Sequence, residues 1–485
     1  MNGTRTGTAA ELAGTAAPGP AGLSAAPAAA ASLRLTWVQP EDLLPHELAA
    51  SADEGRDVSA VAARWAAAGG STVPPVSGAS AVAAGPELRR LAAELLDECD
   101  ALPDPDPATE PQALADIRAT WPAESGLPTG PPDPDRLHGG WLGRAVGCLL
   151  GKPVEKIPRQ GIREILTATG RWPLRGYFTA AGLPAEVAAR WPWNRRSAVN
   201  SLAENINGMP EDDDLNFALL ALRIRETRGP EFGSVDVAQA WLDWLPGGRV
   251  FTAERVAYRN LLLGLTPPET ARRHNPFREW IGAQIRTDVY GWVNPGRPDR
   301  AAELAYRDAV VSHVRSGVYG ALWVAAMTSA AVVADDVATV LDAGESVLPP
   351  RSRFATAVRE ARALGAAASG DDDWESVLDA LYARHGHLHW VHVRNNAALV
   401  AAALAYGRGD LVRSICAVVS GGWDTDSTGA TVGSITGALT GAADLPAEWT
   451  GPLRGRLHSS IAGFDGIGFV DLADRTRRLV SEEIL

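Results

Sequence analysis

An all-α fold, a compact bundle of helices with an N-terminal appendage, is predicted by three features of the sequence. After about residue 133, nearly every apolar segment repeats with the helical period rather than with the two-residue period of a strand. Short alternating segments at regular spacing are absent, which disfavours a sheet. No repeat with a period of roughly 20–50 residues is present, which disfavours a solenoid. The segments with helical periodicity are Leu215–Ile224, Val235–Trp244, Thr252–Leu263, Ala301–Val311, Gly317–Ala334, Ser352–Leu364, Trp374–Ala383, Asn396–Tyr406 and Leu411–Val419.

The chain is predicted to have three parts. Residues 1–32 are mostly Ala, Gly, Pro, Thr and Ser, and we expect a disordered tail there. Residues 33–132 are expected to form a mostly helical extension and linker that packs on the main domain or borders its pocket. The predicted elements of this extension are an extended segment over Leu33–Val38 and helices over Pro40–Ala50, Val58–Ala68 and Pro86–Leu102. Residues 133–485 are expected to form the main all-α domain.

Composition narrows the class of protein. The 485-residue chain has 45 Lys and Arg against 58 Asp and Glu, a formal net charge of −13, so general nucleic-acid binding is not expected. Its three cysteines, Cys99, Cys148 and Cys416, are too few for a disulfide framework, and no apolar leader segment follows Arg5; both features favour the cytoplasm. The long apolar segment Gly317–Ala334 is rich in small residues, which predicts a buried, close-packed helix and no membrane partner.

Two acidic clusters precede predicted helices. The first is Glu211–Asp214, before Leu215–Ile224, and the second is Asp424–Ser427, before a helix over Gly429–Gly441. N-capping, which contributes about 1 kcal/mol, is the alternative interpretation of either cluster taken alone. Three consecutive aspartates exceed what capping needs, because adjacent like charges repel unless a cation lies among them. A third acidic run, Asp371–Asp373, has polar flanks and is predicted to be a solvent-exposed cap.

Glycine recurs every four residues along the helix that follows the second cluster, at Gly429, Gly433, Gly437 and Gly441. Each glycine in a helix interior costs about 1 kcal/mol relative to alanine, so four of them indicate that another backbone approaches closely. Such a crossing would bring Asp424 and Asp426 against the turn at 212–214, and five carboxylates together would require a divalent cation. Carboxylates with the Ser427 hydroxyl suit a hard ion such as Mg²⁺, Mn²⁺ or Ca²⁺ rather than zinc.

A third segment repeats the glycine spacing earlier in the chain, at Gly143, Gly147 and Gly151, and continues through Pro153 to Glu155. Taken alone, it is typical of another close-packed helix that ends in a surface glutamate, and it lacks both common glycine-rich phosphate-binding patterns. Together, and in this order along the chain, the three segments resemble the motifs of the ADP-ribosylglycohydrolase family, which includes dinitrogenase-reductase-activating glycohydrolases and certain crystallins. The matching stretches are Gly147–Glu155, Asp212–Leu215 and Gly421–Ser427. The resemblance covers about residues 133–465 and implies that family's compact orthogonal helical bundle.

The resemblance also implies a binuclear metal site that takes two Mg²⁺ ions, with Mn²⁺ or Ca²⁺ as substitutes. The implied ligands are Asp212, Asp213, Asp214, Asp424, Asp426 and Ser427. Two positions depart from the family pattern in charge or shape: Asp212 adds a negative charge where the family usually has Thr, and Trp423 is inserted between Gly422 and Asp424. At two other positions the family has a hydroxyl residue. Ser427 stands where the family often has Thr and keeps a hydroxyl oxygen, whereas Leu215 replaces a hydroxyl residue with an apolar one. These departures bear on the identity of the substrate more than on the binding of metal ions.

The implied catalytic residues are Glu155, Asp213 and Asp424. Glu155 would act as general base or stabilise positive charge, and a surface glutamate at a helix end is its alternative interpretation. The implied substrate-binding residues are Gly282, Gln284 and Arg286 in a Gly-x-x-x-Arg loop, His313 after Ser312, and Gly421, Gly422 and Trp423. The Trp423 indole could stack on a base or fill the core, and core packing is also the alternative for His313.

The histidine-rich stretch 384–392 is the remaining metal candidate. Its spacing is compatible with a transition-metal site, but no Cys or Glu is adjacent, so ordinary loop and capping histidines are expected. Hydrolysis through a Ser-His-Asp triad is disfavoured because no Gly-x-Ser-x-Gly elbow is present.

The expected function is Mg²⁺-dependent hydrolysis of an ADP-ribosyl N- or O-ribosyl bond, on a protein side chain or on a small NAD-derived metabolite. Such a reaction passes through an oxocarbenium-like state, and two adjacent cations can position ribose hydroxyls and a water molecule. The expected partners are therefore an ADP-ribosylated protein or a small ADP-ribosyl or nucleotide substrate. Two alternatives remain: a non-catalytic ADP-ribose- or nucleotide-binding protein, and a biosynthetic enzyme that uses the same site on an unusual nucleoside or NAD adduct.

Overall fold

The structure, a computed structural model, describes residues 34–76, 78–123 and 125–484, and the predicted tail over residues 1–32 lies outside them. The described part is almost entirely helical, which confirms the predicted all-α class. A short antiparallel pair, β1 (Arg456–Leu457) and β2 (Ile467–Gly468), is the one small sheet in that part. From Thr36 onward, the described residues form one compact unit. The predicted boundary near residue 133 stays a prediction.

The described α-helices have the following bounds: α1 Pro40–Asp53, α2 Ser59–Ala67, α3 Pro86–Asp100, α4 Leu114–Arg118, α5 Pro134–Gly151, α6 Arg159–Ala168, α7 Ala185–Arg190, α8 Ala198–Ser201, α9 Asp213–Arg228, α10 Ser234–Trp244, α11 Thr252–Leu262, α12 Asp288–Trp292, α13 Pro298–Ala309, α14 Arg315–Ala331, α15 Val337–Ser346, α16 Arg353–Ala367, α17 Asp371–His385, α18 Val393–Gly407, α19 Leu411–Ser420, α20 Thr425–Thr440, α21 Ala447–Thr450 and α22 Phe469–Ile484. Short 3-10 helices lie at Lys152–Val154, Gly247–Arg249, Glu269–Ala271, Ile281–Arg286, Ala442–Asp444 and Gly451–Leu453.

The predicted helices are confirmed, with differences mainly at their ends. The largest differences are at α9, which continues to Arg228 rather than ending at Ile224, and at α20, which begins at Thr425 rather than Gly429. The second acidic cluster therefore forms the first turn of α20. Segment 33–38 contains a turn at Thr36–Trp37 and no strand among its described residues. Eight of the helices were not predicted from the sequence: α4, α6, α7, α8, α12, α15, α21 and α22. Of these, α15 carries an N-cap signal, the Asp336 carboxylate that accepts from Thr339 N.

The two glycine series face each other at the crossing of α5 and α20. A Cβ placed on Gly143 would lie 2.1 Å from Gly433 O, and one on Gly147 would lie 1.8 Å from Gly429 O. Each distance is too short for any side chain, and the obstructing atoms are backbone carbonyl oxygens. The predicted close approach of a second backbone is therefore confirmed. The helix that approaches α20 is α5, which carries the earlier of the two glycine series.

Helix α14 runs through the interior, and every one of its residues is buried. Within the described ranges, no helix combines the length and apolarity that crossing a bilayer would require. The interpretation of Gly317–Ala334 as a close-packed core helix is therefore confirmed.

Helix α1 of the extension is joined to the rest of the protein by buried ion pairs. The Glu47 carboxylate accepts from both terminal nitrogens of Arg278, at 2.6 and 3.0 Å, and Glu54 pairs with Arg278 and Arg315. At the end of the helix, Asp53 accepts from Arg353 at 3.0 Å. The extension thus supplies the counter-charges of arginines that belong to the main domain, which ties the two parts into one folding unit.

We predict that Glu47→Gln destabilises the protein by about 3–5 kcal/mol, because Arg278 then keeps only Glu54, which it shares with Arg315, and a buried positive charge is left in excess. The measurement is the urea unfolding midpoint. The control is Glu87→Gln on exposed α3 surface, where a change within about 0.5 kcal/mol is expected. Equal effects of the two substitutions would show that the buried pair contributes little.

Candidate active site

The first turns of α9 and α20 meet beside the end of α5. The Ser427 hydroxyl on α20 donates a hydrogen bond of 3.3 Å to Asp214 Oδ2 on α9. The Thr425 hydroxyl donates to the carbonyl oxygen of Gly151, the last residue of α5, at 2.9 Å. These two bonds confirm that the two acidic turns come together. The metal-binding and catalytic roles of the aspartates stay predictions.

The buried Arg144 of α5 fixes the first turn in place. Its guanidinium donates to the carbonyl oxygen of Asp214, at 2.6 and 3.1 Å, and pairs with the Asp288 carboxylate of α12 at 2.9 Å. The other oxygen of Asp288 accepts from Ser434 of α20 at 2.5 Å. Arg144 therefore links α5, α9, α12 and, through Asp288, α20. Sequence reasoning missed it, although a charged residue directly after Gly143, in the part of the helix that is otherwise uncharged, was a visible signal.

The second turn is shaped by two consecutive residues in the left-handed region, Gly422 at φ 78° and Trp423 at φ 60°. This conformation is costly for tryptophan, and such strain is often retained at functional sites. The Trp423 ring is buried and stacks on Tyr382, with centroids 4.4 Å apart. The role of this indole in substrate binding stays a prediction. The next residue, Asp424, is held through its backbone N–H, which donates to Asn396 Oδ1 at 3.1 Å.

The carboxylates of the two turns are crowded and mostly buried. Burial, reinforced by neighbouring carboxylates, raises the pKa of Asp213, Asp214, Asp424 and Asp426. At Asp212 burial acts in the same direction, but the ammonium group of Lys152 outweighs it and the pKa is lowered. Repulsion among four carboxylates with raised pKa values is the electrostatic signature of a place where a cation would be stabilised.

The donor atoms fit a hard divalent cation. Asp214 Oδ1 is buried with no hydrogen-bond partner among the described residues, so it is available as a ligand. Potential ligand atoms of Cys148, Asp212 and Asp214 lie within 4.8 Å of one another. Burial and the nearby Asp212 raise the pKa of the Cys148 thiol well above its usual value, so the thiol stays protonated and is a poor ligand. The carboxylates and the Ser427 hydroxyl therefore remain as an all-oxygen set, which Mg²⁺, Mn²⁺ or Ca²⁺ would accept.

Glu155 lies at the edge of this cluster and is partly exposed. Its Oε2 accepts from Asn194 Nδ2 at 2.5 Å, and its Oε1 is 3.4 Å from the ammonium nitrogen of Lys156. Burial and the charge of Asp426 raise the pKa of Glu155 to about 7. A carboxyl group with a pKa near neutrality can both accept and donate a proton, as a general acid or base must.

The raised pKa predicts a pH-dependent effect of Glu155 on stability. In the folded, metal-free protein Glu155 holds its proton up to about pH 7, whereas in the unfolded chain it loses the proton near pH 4.5. Stability is therefore lost as the pH rises from about 4.5 to about 7, by up to about 3 kcal/mol at about 1.4 kcal/mol per pKa unit. Glu155→Gln stays neutral, so we expect it to be more stable than the wild type near pH 8, and this difference to shrink toward about pH 5.

The measurement is urea unfolding of both proteins in EDTA across that range of pH. Contributions from the histidines are common to both proteins and cancel in the difference. A stability difference that does not change with pH would contradict the raised pKa of Glu155.

The predicted Gly-x-x-x-Arg loop forms a buried 3-10 helix, Ile281–Arg286. The Arg286 guanidinium is paired with Glu254 at 2.7 Å and with Asp308, and it donates to the Ser312 hydroxyl at 2.9 Å. A Cβ on Gly282 would lie 2.0 Å from Glu254 Oε1, so this glycine makes room for that ion network. All these partners are protein groups, and substrate binding by this loop stays a prediction.

The remaining predicted substrate-binding residues are also buried. Neither amide atom of Gln284 has a hydrogen-bond partner among the described residues. His313 Nδ1 is 2.8 Å from the Ser312 hydroxyl, and burial lowers the pKa of His313, which keeps the ring neutral. Gly421 packs against Leu399, and its carbonyl oxygen accepts from the Tyr382 hydroxyl at 2.8 Å. Their role in substrate binding stays a prediction.

The histidine-rich stretch has the ordinary roles that were expected. His389 stacks on Trp280, with centroids 4.2 Å apart and an interplanar angle of 12°. His392 caps α18, because its Nδ1 accepts from Arg394 N at 3.1 Å. In the described part of the chain, the groups of three candidate ligands close enough to hold a metal ion include none of these histidines.

The third acidic run behaves as the predicted control. Asp371, Asp372 and Asp373 are exposed at the start of α17. Asp373 Oδ2 accepts from the backbone N–H groups of Ser369 and Gly370, at 3.0 and 3.3 Å. This solvated cap shows that three aspartates before a helix do not by themselves form a buried cluster.

Fold and site together define a class: all-α proteins in which two aspartate turns at helix N-termini form a buried acidic centre. The family model for ADP-ribosylglycohydrolase matches residues 130–483. The chain belongs to the ADP-ribosylglycohydrolase family, which confirms the resemblance drawn from the three motifs, and this membership indicates a glycohydrolase that acts on ADP-ribosyl bonds.

One solved structure, "ADP-ribosylglycohydrolase-related protein complex", is similar to this chain at 22% identity, covering 72% of this chain and 96% of its own, with a TM-score of 0.43. A comparison with curated proteins finds no match.

Proposed function

We propose that the protein hydrolyses an ADP-ribosyl N- or O-ribosyl bond, on a protein side chain or on a small NAD-derived metabolite, and that it needs divalent cations to do so. The proposed cofactor is a pair of Mg²⁺ ions, for which Mn²⁺ or Ca²⁺ could substitute. Carboxylates of the two turns and the Ser427 hydroxyl would hold the ions. When bound, Mg²⁺ would orient ribose hydroxyls and a water molecule and lower the pKa of that water.

The observation that carries this proposal is the contact between Ser427 Oγ and Asp214 Oδ2. It joins two turns more than 200 residues apart in sequence, at a point where the neighbouring carboxylates repel one another. A structural role alone would not favour so many buried carboxylates, because each one costs free energy to bury unless it is compensated. Compensation by a bound cation accounts for both the burial and the crowding.

Glu155 is the proposed general base. It would accept a proton from the attacking water while the water oxygen bonds to C1″ of the ribose. The bond from C1″ to the leaving nitrogen or oxygen breaks, and the leaving atom takes up the proton that Glu155 accepted, directly or through water, which restores the Glu155 carboxylate. Asn194 and Lys156 contact one carboxylate oxygen each, and these contacts orient Glu155. The carboxylates of Asp213 and Asp424 would stabilise the positive charge that develops on the ribose.

The test is a hydrolysis screen of the purified protein, with Mg²⁺ or with EDTA, against ADP-ribosyl-arginine, ADP-ribosyl-serine, O-acetyl-ADP-ribose and NAD derivatives. We expect release of an ADP-ribosyl product from at least one substrate, only when Mg²⁺ is present. Glu155→Gln is expected to reduce that rate by about 10²–10⁴-fold, the usual contribution of a general acid or base. The control is Asp373→Asn on the exposed acidic cap, which should leave the rate unchanged.

Two other outcomes would overturn the proposal. If calorimetry detects binding of ADP-ribose but no substrate is hydrolysed, the protein is a binding module. If the ADP-ribosyl group is transferred to a second molecule rather than to water, the site serves a biosynthetic reaction.

A further inference from the structure

Lys152 is a buried cation that the proposed function does not use. It follows α5 directly, and only 8% of its side chain is exposed. Its ammonium nitrogen pairs with Asp212 Oδ2 and lies 3.2 Å from the carbonyl oxygen of Glu211. The chain has only two lysines among its 45 basic residues, Lys152 and Lys156, and both lie beside the acidic turns. A compact ammonium group fits a closed space with one carboxylate and one carbonyl oxygen, whereas a guanidinium brings five donors.

Asp212 differs from Asp214 because both oxygens of Asp212 already have partners. Its Oδ1 accepts from Asp214 N at 2.9 Å as the N-cap of α9, and its Oδ2 is paired with Lys152. Asp214, two residues later, leaves Oδ1 without a hydrogen-bond partner among the described residues. Both oxygens of Asp212 are therefore committed to short contacts with protein groups, whereas Asp214 Oδ1 has only the more distant Arg144 guanidinium, 3.8 Å away.

The other nearby cations face carboxylates other than Asp212, and Arg144 Nη2 lies 3.8 Å from Asp214 Oδ1. Arg144 is paired with Asp288 at 2.9 Å, and Lys156 is about half exposed and lies beside Glu155. Lys152 is thus the cation that balances Asp212.

We propose that Lys152 neutralises Asp212, so that Asp212 caps and orients α9 while the divalent cations are held by Asp213, Asp214, Asp424 and Asp426. Lys152 is then a positioning residue of the site. This inference rests on the proposed function, because it concerns how the same site holds its cations. Asp212 and Lys152 form one neutral unit, so that the effect of removing either charge depends on whether the other is present.

The test is a double-mutant cycle in which calorimetry measures the affinity for Mn²⁺. Asp212→Asn keeps the cap but leaves an uncompensated ammonium group, and we expect it to weaken Mn²⁺ binding by at least about tenfold. Lys152→Met leaves an extra carboxylate and is expected to tighten binding. The double substitution is expected to return the affinity to within about threefold of the wild type. A merely structural role for the pair would not produce opposite single effects that cancel.

Lys156→Met is the matched lysine control, with an expected change below about threefold, because this half-exposed side chain is screened by solvent. Lys152→Gln serves as a second lysine variant, and each variant is checked for a cooperative melting transition. The proposal is overturned if Asp212→Asn weakens Mn²⁺ binding by the same factor with and without Lys152→Met, because Asp212 would then be a direct ligand. If the wild type binds no divalent cation, the proposed function fails together with this inference. If the wild type binds Mn²⁺ but the two factors are equal, only this inference fails, so the two failures are distinguishable.

Discussion

Gly147→Ala is expected to destabilise the protein by more than about 4 kcal/mol, beyond the usual range for overpacking. The added methyl group would lie 1.8 Å from Gly429 O and 2.4 Å from its carbonyl carbon. These are backbone atoms in the middle of α20, so no side-chain rotation relieves the clash and the two helices must separate. Because α5 and α20 carry the segments that flank the acidic cluster, the same change is expected to weaken Mg²⁺ binding.

The measurements are the urea unfolding midpoint and the shift in melting temperature that Mg²⁺ produces. Gly248→Ala is the control, since a Cβ at this exposed glycine would meet nothing within 4 Å. Its expected effect is within about 0.5 kcal/mol. A stable Gly147→Ala protein with an unchanged response to Mg²⁺ would mean that the close crossing is not required for the site.

Asp424→Ala is expected to leave the fold intact and to abolish the stabilisation that Mg²⁺ gives the wild type. Burial, together with the charges of Asp426 and Glu155, raises the pKa of Asp424. Removal of this carboxylate therefore relieves repulsion in the metal-free protein. With a cation present the same carboxylate is a proposed ligand, and its loss lowers affinity. At a Mg²⁺ concentration about 100-fold above Kd, the wild type would gain about 2.7 kcal/mol from binding, and the variant would gain little.

Melting curves with Mg²⁺ and with EDTA measure this difference, and the hydrolysis rate should fall with it. Asp372→Ala, in the exposed acidic cap of α17, is the matched control and should respond to Mg²⁺ as the wild type does. If Asp424→Ala and the wild type show the same shift in melting temperature, Asp424 is not a ligand.

Much of the fold could be predicted because local pattern determines helices. The period of apolar residues placed α10 and α11 within one residue of their ends. The glycine spacing indicated that α20 crosses another backbone. The partner of that crossing could not be read from α20 alone, because the two series lie almost 300 residues apart and only packing brings them together.

The acidic turns could be predicted, but the basic residues that hold them could not. Arg144 pairs with Asp288, and Lys152 pairs with Asp212. Both pairs form only through tertiary packing, and no regular spacing in the sequence relates their members. The Gly-x-x-x-Arg pattern was visible, yet the buried carboxylates that surround Arg286 come from α11 and α13. The stacking of Trp423 on Tyr382 likewise depends on where α17 lies relative to α20.

Anomalous diffraction from a crystal soaked in Mn²⁺ tests the central claim most directly, because it locates the ions without reference to any substrate. We predict anomalous peaks between the first turns of α9 and α20, within coordination distance of Asp214 and Asp426 oxygens. A map with no peak there, or turns that lie apart with Ser427 no longer in contact with Asp214, would contradict the account.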